Sequence, residues 1–600
     1  MFVWDDGDLN AEQVAAISEP NNVFLMACPG SGKTRTLTYK IALELSRLDD
    51  PKKWVVAITY THRAADEIRD RIEALGVDTM QLWIGTIHAF CLEWILKPYG
   101  LYHRRLMNGF KIINSYDSEE IISRICSNIR TERIRYGECN HYYESRGLVL
   151  TCARYRAPLV QRVLNCYHQQ LEDNNQIDFE QILYFSYEII SENLAIAKII
   201  SNLFSYVLID EYQDTKEIQY SIVSSIVKAS RGRVKTFIVG DPNQAIYGSL
   251  GGYAIARNEL ERLTEVLFTP MALNKNYRSS RKIIDYYRSF NVSPSATVAE
   301  GEHADYDSII TYDQLTHKED LVEIVSRHIE DSIQNYGVLE REICVIAPWW
   351  IHLAALTRNL VNRLPQYSFD GPGLVPFSRD NENFWFKLTQ IVLTEPSPSM
   401  YVKRLRWAAD VLNDMELALV DVNLISPKQL LKTVNSISIS EEDGLIYLSS
   451  FFDEMFCVLG IDFNLYPMLK DHHESFFNSA QNRIDRLRSE NAYFATDIGA
   501  FRRAFKPRTG IKVSTIHGVK GGEYDVVISF GLLQGLVPNF NDLSVDSAKK
   551  LLYVIGSRAR KNLHLISERG RFFGRGQNRE ERQPTEILQQ LNYAYDQDFP

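Results

Sequence analysis

A glycine-rich loop near the start of the chain constrains its fold more than any other feature. Residues 27–34 read ACPGSGKT, between an apolar run at residues 23–26 and a helix-like run at residues 37–43. A loop of this type holds phosphates when a strand precedes it and a helix follows it. The order of segments therefore predicts an α/β domain that binds a nucleoside triphosphate. Ala27 stands where the usual pattern has its first glycine.

The residues of this loop have different expected roles. Around Gly30, Ser31 and Gly32 the backbone can curl so that successive N–H groups converge on the phosphates. The start of the following helix adds the positive end of its dipole. We expect Lys33 to neutralise the β- and γ-phosphates and Thr34 to ligate Mg²⁺ through its hydroxyl.

Apolar runs recur along the chain and predict buried strands. Continuous apolar runs are typical of strands covered on both faces, as in parallel sheets flanked by helices. The predicted fold class is therefore α/β with doubly wound parallel sheets, and ligands are expected at the carboxyl ends of the strands. The runs lie at residues 23–26, 54–59, 206–209, 236–239, 343–347, 512–516, 526–530 and 562–566.

Two long stretches lack these strand-like runs. Residues from about 105 to 176 and from about 396 to 505 are mostly helical in pattern. Each interrupts an α/β region, so both are interpreted as inserted helical subdomains. The PSPS sequence at residues 396–399 marks one insertion point.

The composition argues against several other classes of protein. No apolar run reaches the ~20 residues that span a bilayer, and the N-terminal sequence MFVWDD lacks the layout of a signal peptide. The eight cysteines include no Cys-x-x-Cys pair, which argues against zinc or iron–sulfur ligation and favours a reduced, cytoplasmic setting. The net charge of −10 is unusual for a nucleic-acid binder, although a locally basic and aromatic groove would suffice.

A pair of acids supplies the second strong signal. Residues 207–214 read VLIDEYQD, which places Asp210 and Glu211 at the end of an apolar run. Asp210 suits Mg²⁺, usually through a water molecule, because this ion keeps several of its own water ligands. Glu211 suits a general base that orients and deprotonates the attacking water.

Further segments carry a resemblance that covers nearly the whole chain. It resembles the UvrD/Rep-type helicases of superfamily one, and the segments stand in that family's order. They read LNAEQ at residues 9–13, AITYTHRAA at 57–65, GTIHAF at 85–90, IDF at 177–179, VGDPNQAIYG at 239–248, LNKNYRSS at 273–280, VSTIHGVKGGEY at 513–524 and LYVIGSRAR at 552–560.

The resemblance implies two RecA-like domains, each with a helical insert. The first RecA-like domain, which binds ATP, would take residues 1–104 and 177–280, with residues 105–176 as its insert. The second would take residues 281–395 and 506–600, with a reduced insert at residues 396–505.

The resemblance also implies how the nucleoside of ATP is held. Gln13 would read the adenine edge, since an amide can both donate and accept a hydrogen bond. Tyr277 and Arg35 would sandwich the adenine ring through stacking and a cation–π contact. Glu523 would accept hydrogen bonds from the ribose hydroxyls.

Three more residues would act on the phosphates. Gln244 would contact the γ-phosphate or the attacking water, and Arg278 and Arg558 would stabilise the charge that builds on the transferring phosphoryl group. Because Arg558 belongs to the last motif, hydrolysis is expected to depend on closure of two domains on ATP.

Other motif positions are expected to bind DNA. Tyr247 would form a platform for base stacking, a contact worth about 1–3 kcal/mol per base. Contacts with strand phosphates give affinity without sequence choice. The positions expected to make them are Thr61, Arg63, Thr86, His88, Thr515 and His517.

The chain departs from the family pattern at several points. Residues 249–251 read SLG where the family has an aromatic residue, an arginine and a glycine, so one stacking wedge is missing. Gly522 replaces a leucine, and Ser547-Ala548 replaces the usual acid pair. These departures leave the separation of long duplexes less firmly implied than ATP hydrolysis.

Two functional hypotheses follow. The first is an ATP-driven 3′–5′ helicase and translocase that moves along single-stranded DNA and displaces the paired strand. The alternative is a DNA-stimulated regulatory ATPase that senses DNA ends or single strands and controls a partner such as a nuclease. Both hypotheses leave open whether the bound strand is DNA or RNA.

Overall fold

The chain divides into two compact units. The computed structural model describes residues 2–129, 132–372, 374, 377, 380, 383–489, 496–505, 510–539, 542, 544–574 and 579–597. Contacts group residues 1–310, 533–563 and 585–594 into the first unit and the remaining residues into the second. This division does not test the finer boundaries that the resemblance implies, and those boundaries stay a prediction.

A six-stranded parallel sheet forms the centre of the first unit. The strand of the phosphate loop lies inside this sheet, so both of its neighbours fix its register. The strand order across the sheet is Thr269–Leu273, Val23–Ala27, Lys235–Gly240, Phe204–Ile209, Trp54–Thr59 and Leu82–Thr86.

Alternate residues of these strands enter two different cores. Val56 and Ile58 pack in one apolar cluster, whereas Val55 and Ala57 pack in another. Successive side chains of a strand point to opposite faces of a sheet, so both faces are covered by helices. This explains the apolar runs within the inner strands of the sheet.

Helices cover both faces of the first sheet and extend to the insert. Their bounds are Ala11–Ser18, Lys33–Ser46, His62–Ala74, Ile87–Cys91, Lys97–Tyr99, Ser115–Asn128, Ala157–Asp173, Phe179–Glu192, Leu194–Leu203, Glu217–Ala229, Arg257–Thr264, Arg281–Arg288, Val545–Gly556 and Glu586–Gln590.

The segment at residues 105–176 is only partly helical. Its two α-helices flank an antiparallel hairpin of His141–Glu144 and Gly147–Leu150. A short parallel pair, Lys111–Ile112 with Gln176–Ile177, joins the two ends of the segment. The expectation of a mostly helical pattern did not include these strands, because short half-exposed strands lack a continuous apolar run.

The second sheet also has six strands. Their order is Ile310–Asp313, Ala559–Ile566, Tyr524–Ser529, Ile343–Ala347, Ile511–Thr515 and Phe369–Asp370. The three pairings among the last four strands are parallel. Two helices, Leu321–Gln334 and Trp350–Arg363, pack with this sheet.

The segment at residues 396–505 is helical throughout its described part. Phe384–Leu393 precedes it and packs in the same aromatic-rich core, with Trp385 fully buried. Its helices are Tyr401–Leu417, Pro427–Ser436, Gly444–Leu459, Pro467–Ser489 and Ile498–Arg503. Among the described residues, no helix has both the length and the apolar character to cross a membrane.

Candidate active site

The phosphate loop needs glycine at two positions for backbone angle and for space. Gly30 has φ +69° and Gly32 has φ +76°, and Gly32 caps the helix Lys33–Ser46. A Cβ atom on Gly30 would lie 2.6 Å from the Cβ of Arg278. A Cβ on Gly32 would lie 2.6 Å from Nε2 of Gln13. Neighbouring segments therefore pack directly against the loop.

Gln13 is one of these neighbours. Its Nε2 donates to the backbone oxygen of Ser31 at 3.0 Å. Its Oε1 accepts from the backbone N–H of Asn10 at 2.9 Å, and its own N–H donates to the Asn10 side chain at the same distance. This reciprocal cap at the start of the helix Ala11–Ser18 fixes the amide against the loop.

Lys33 faces the acid pair. Its Nζ donates to Oε1 of Glu211 and lies 4.0 Å from Oδ1 of Asp210. Burial lowers the pKa of Lys33, but the carboxylates of Glu211 and Asp210 outweigh this effect and raise the pKa above its ordinary value. The structure thus brings together the predicted phosphate-binding cation, metal ligand and general base.

Glu211 is held in an uncommon backbone conformation. Its φ of +52° lies in the left-handed region, which non-glycine residues seldom adopt and which is often found at functional sites. Its N–H donates to Oδ1 of Asp210 at 2.9 Å, and Nε2 of Gln213 donates to its Oε2. Lys33 and Gln213 therefore each donate to one oxygen of the Glu211 carboxylate.

A buried chain of hydrogen bonds leads from this base to Arg558. Oε1 of Gln213 accepts from the backbone N–H of Asp241 at 2.9 Å, and Oδ2 of Asp241 accepts from Nε2 of Gln244 at the same distance. Oε1 of Gln244 in turn accepts from Arg558 at 2.7 Å. This path of hydrogen bonds connects the residues that are predicted to be the general base, the γ-phosphate sensor and one arginine finger.

Burial shifts the pKa values of the charged groups along this path of hydrogen bonds. It raises the pKa of Asp241 above its ordinary value, although hydrogen bonds, including that from Gln244, act in the opposite direction. Burial and the neighbouring Arg278 guanidinium together lower the pKa of Arg558 to about 10, against the opposite effect of the Glu211 and Asp241 carboxylates. Arg558 is only 2% exposed and still cationic at neutral pH.

Arg278 is tied to the phosphate loop through the residues before it. The N–H of Tyr277 donates to the oxygen of Gly30 at 2.9 Å, and Nδ2 of Asn276 donates to the oxygen of Pro29 at 2.7 Å. The Arg278 guanidinium donates to the oxygen of Ser557 at 2.9 Å. The two predicted arginine fingers therefore stand beside each other.

The residues expected to sandwich adenine have other partners here. Arg35 pairs with Asp8 at 3.3 Å and lies 5.9 Å from the ring centre of Tyr39. The hydroxyl of Tyr277 accepts from Nδ2 of Asn10 at 2.9 Å, and Tyr277 is 40% exposed. Their stacking on adenine stays a prediction.

Two threonines predicted to bind DNA lie at neighbouring strand ends. Thr86 pairs in register with Thr59, and Thr61 follows the strand Trp54–Thr59. Thr61 and Thr86 each cap the helix that follows them, by accepting from a backbone N–H. Arg63 lies exposed in the first turn after Thr61.

Tyr247 and His88 lie in the same unit as these threonines. The ring of Tyr247 is 5.0 Å from that of Tyr60, and the half-buried Tyr247 is followed by the turn Gly248–Leu250. Burial raises the pKa of both tyrosines, that of Tyr60 to about 12. His88 makes an edge contact with Phe179 at 6.0 Å.

Three predicted site residues belong to the second unit. Thr515 ends the strand Ile511–Thr515, and its hydroxyl accepts from the N–H of Gly518 at 3.0 Å. His517 lies in the following turn, and Glu523 is exposed just before the strand Tyr524–Ser529.

Comparison with known proteins now identifies the family. Residues 9–254 match the UvrD/REP helicase N-terminal domain, and residues 497–570 match the UvrD-like helicase C-terminal domain. This chain belongs to the UvrD/Rep helicase family. It is thereby an enzyme of the ATP-dependent DNA helicase class, and its two sheets are RecA-like in kind.

Relatives align with the chain over most of its length. A probable DNA helicase II homolog of Mycoplasma capricolum is 24% identical over 663 aligned residues, which cover 98% of this chain and 88% of the relative. The ATP-dependent DNA helicase PcrA of Staphylococcus epidermidis is 23% identical, with 97% and 86% covered. PcrA of Staphylococcus aureus gives the same three values.

Sequence reasoning missed several residues of this UvrD/Rep site. Gln213, Asp241 and Asn276 lie inside motifs that were recognised, yet their roles as connectors appear only in the folded chain. Tyr553, whose hydroxyl donates to Asp241 at 3.1 Å, was missed in the same way. Position within a motif was the only available signal.

Proposed function

We propose that this chain is an ATP-driven motor that moves 3′ to 5′ along single-stranded DNA and displaces the paired strand. The single observation that carries the proposal is the continuous path from Lys33 and Glu211 through Gln213, Asp241 and Gln244 to Arg558. Such a path joins the hydrolytic base to the γ-phosphate sensor and the arginine finger.

The loop residues and acids suit ATP with Mg²⁺. The Thr34 hydroxyl and the Asp210 carboxylate are oxygen ligands of the kind that Mg²⁺ prefers, and they would hold the ion where it would neutralise phosphate charge. Gly30, Ser31 and Gly32 would cradle the phosphates beside Lys33. Gln13 would hold the adenine, in support of ATP over other triphosphates.

Hydrolysis would use the positioned carboxylate and the adjacent arginines. Glu211 would orient a water molecule in line with the γ-phosphate and take its proton. Arg278 and Arg558 would stabilise the charge that builds on the phosphoryl group. Gln244 contacts Arg558 and would report the loss of the γ-phosphate to the rest of the site.

Binding of DNA would rest on strand-end hydroxyls and an aromatic platform. Thr61 and Thr86 would hold strand phosphates with Arg63 and His88, and Tyr247 would stack on a base. Thr515 and His517 would hold strand phosphates in the second unit, and Glu523 would accept hydrogen bonds from the ribose hydroxyls. Alternate grips on the backbone during ATP turnover would then give directional steps. A cytoplasmic setting belongs to the same proposal.

ATP turnover in site variants tests this proposal. In ATPase assays with and without oligo-dT, Lys33→Ala and Glu211→Gln should each lower the DNA-stimulated kcat by about 10²-fold or more, because each removes a group acting on the γ-phosphate. Lys228 and Glu265 form an exposed ion pair in the same unit and supply matched controls, Lys228→Ala and Glu265→Gln. Undiminished turnover in both site variants would contradict the assignment.

One departure from the family sequence pattern favours a second candidate function. Residues 249–251 lack the family's stacking wedge, and Leu250 there is 54% exposed. A chain of this kind could couple ATP turnover to sensing of single strands rather than to unwinding. The matched domains and the relatives give no support for a nuclease partner.

A further inference from the structure

Three metal-ligating side chains meet in the first unit, outside the ATP site. His141 begins the hairpin strand His141–Glu144, His168 lies on the helix Ala157–Asp173, and Asp178 caps the helix Phe179–Glu192. One potential ligand atom from each lies within 4.8 Å of the other two. Three separate elements thus direct nitrogen and oxygen donors to one point.

The two histidines have unused ring nitrogens. Nε2 of His141 and Nε2 of His168 are buried and lack hydrogen-bond partners among the described residues. Buried polar atoms are nearly always hydrogen-bonded, and leaving one unpaired costs about 1–3 kcal/mol. Two such atoms beside one carboxylate indicate that a ligand satisfies them.

The ring of His141 is also oriented for metal binding. Nδ1 of His141 lies 3.1 Å from the backbone oxygen of Cys139, and a proton held there leaves Nε2 with a free lone pair. This arrangement is usual for imidazoles that ligate metals.

The carboxylate is held by neighbours that leave it able to coordinate. Asp178 is 6% exposed, its Oδ1 accepts from the N–H of Gln181 and its Oδ2 accepts from the hydroxyl of Tyr167, both at 2.9 Å. A carboxylate oxygen has two lone pairs, so each oxygen keeps one for a metal. These contacts fix the orientation of the ligand, as outer-shell partners do.

We propose that His141, His168 and Asp178 bind one Zn²⁺ ion, with water as a fourth ligand. Two imidazoles and a carboxylate form a donor set that suits this borderline-soft ion. The ion fastens the hairpin and the insert helix to the start of Phe179–Glu192. The absence of a Cys-x-x-Cys pair does not bear on this site, because it uses no cysteine.

Metal content and affinity test the proposal. The untagged full-length protein, purified without chelators, should contain about one Zn²⁺ per chain by mass spectrometry. After metal removal, Zn²⁺ titration against a chromophoric chelator should show binding that His141→Gln or His168→Gln weakens more than about tenfold. His103→Gln is the matched control, since His103 is a part-buried histidine of the same unit that contacts Glu188.

Two further measurements separate ligation from folding. Asp178→Asn keeps an oxygen for the helix cap but loses the charge, so it should fold and still bind Zn²⁺ more weakly. Co²⁺ in place of Zn²⁺ should give the visible absorption of a tetrahedral site in the wild type and not in His168→Gln. Binding that is absent in the wild type, equal in all variants, or stronger for Mn²⁺ than for Zn²⁺ would overturn the proposal.

Discussion

At single positions of the phosphate loop, the space left by neighbouring residues restricts the residue type as much as the backbone conformation does. Gly30 combines a left-handed φ with a close approach of Arg278, and its oxygen accepts from Tyr277. Replacement by a residue with a Cβ must move either the loop or the segment that carries Arg278. Gly30 therefore sets the spacing between the loop and a residue that is predicted to be catalytic.

Gly30→Ala should lower ATP turnover more than tenfold. The added Cβ would lie 2.6 Å from the Cβ of Arg278, and the left-handed backbone costs about 1 kcal/mol more for alanine than for glycine. Steady-state ATPase kinetics with oligo-dT measure the effect. Gly137→Ala is the control, because a Cβ there meets no atom within 4 Å. Equal losses in the two variants would refute the steric explanation.

The sequence predicts which residues meet at the candidate ATP site better than it predicts their connections. The proximity of Lys33, Asp210 and Glu211 could be predicted, because a phosphate loop and an acid pair at strand ends are expected at the same edge of a parallel sheet. Asp241 and Tyr553 could not, because their contact joins positions that are 312 residues apart. Sequence spacing carries no information on such contacts.

At the scale of elements, the turn after Tyr247 is where this chain differs from its family. Gly248–Leu250 forms a single 3₁₀ turn, and Gly251 has φ +87° with its Cα facing Tyr142. A Cβ on Gly251 would lie 3.0 Å from the Tyr142 ring. The turn packs closely on the hairpin, and Tyr247, whose ring contacts that of Tyr60, is the aromatic residue predicted to stack on a base.

Tyr247→Ala should weaken binding of oligo-dT about tenfold or more. Loss of a stacking ring removes about 1–3 kcal/mol per base. Fluorescence anisotropy at one fixed salt concentration measures this affinity. Tyr155→Ala removes a ring that is 84% exposed and should leave binding unchanged. An unchanged affinity for Tyr247→Ala would assign the ring to packing alone.

A histidine pair in the second unit makes stability depend on pH. The rings of His328 and His564 stack at 4.1 Å, and Nδ1 of His564 lies 2.9 Å from the hydroxyl of Thr311. Burial lowers the pKa of His564 to about 4 and that of His328 well below its ordinary value. Between pH 6.5 and 4 the unfolded chain therefore binds protons that the folded chain does not.

Acid should thus destabilise the wild type more than His564→Asn. The folded pKa is depressed, so stability is lost as pH falls from 6.5 towards 4, by about 3 kcal/mol for His564. Urea unfolding at pH 7 and pH 4 measures the loss in each protein. Parallel pH profiles for the two proteins would contradict this origin of the acid sensitivity.

Strand prediction succeeded where both faces of a strand are covered. The last four residues of Phe204–Ile209 and all of Ile343–Ala347 form continuous apolar runs, as buried parallel strands do. Leu82–Thr86 and Thr269–Leu273 were missed because they lie at the edges of the first sheet, where a mixed sequence is tolerated. The hairpin strands His141–Glu144 and Gly147–Leu150 were missed for a similar reason.

At the scale of the whole molecule, the chain has two RecA-like sheets and a net negative charge, although DNA, the substrate of its family, is also negatively charged. The net charge of −10 gives little general attraction to DNA, so affinity must come from a few local contacts. The expected contacts are hydroxyls, an exposed arginine and tyrosine rings rather than a broad basic face.

Strand displacement tests the central claim most directly. Duplexes with either a 3′ or a 5′ single-stranded tail are mixed with the wild type, ATP and Mg²⁺, and release of a labelled strand is followed over time. A 3′–5′ motor will displace the strand only from the 3′-tailed duplex, and Glu211→Gln will not displace it. Displacement from the 5′-tailed duplex, or from neither duplex despite DNA-stimulated ATP turnover, would contradict a 3′–5′ helicase.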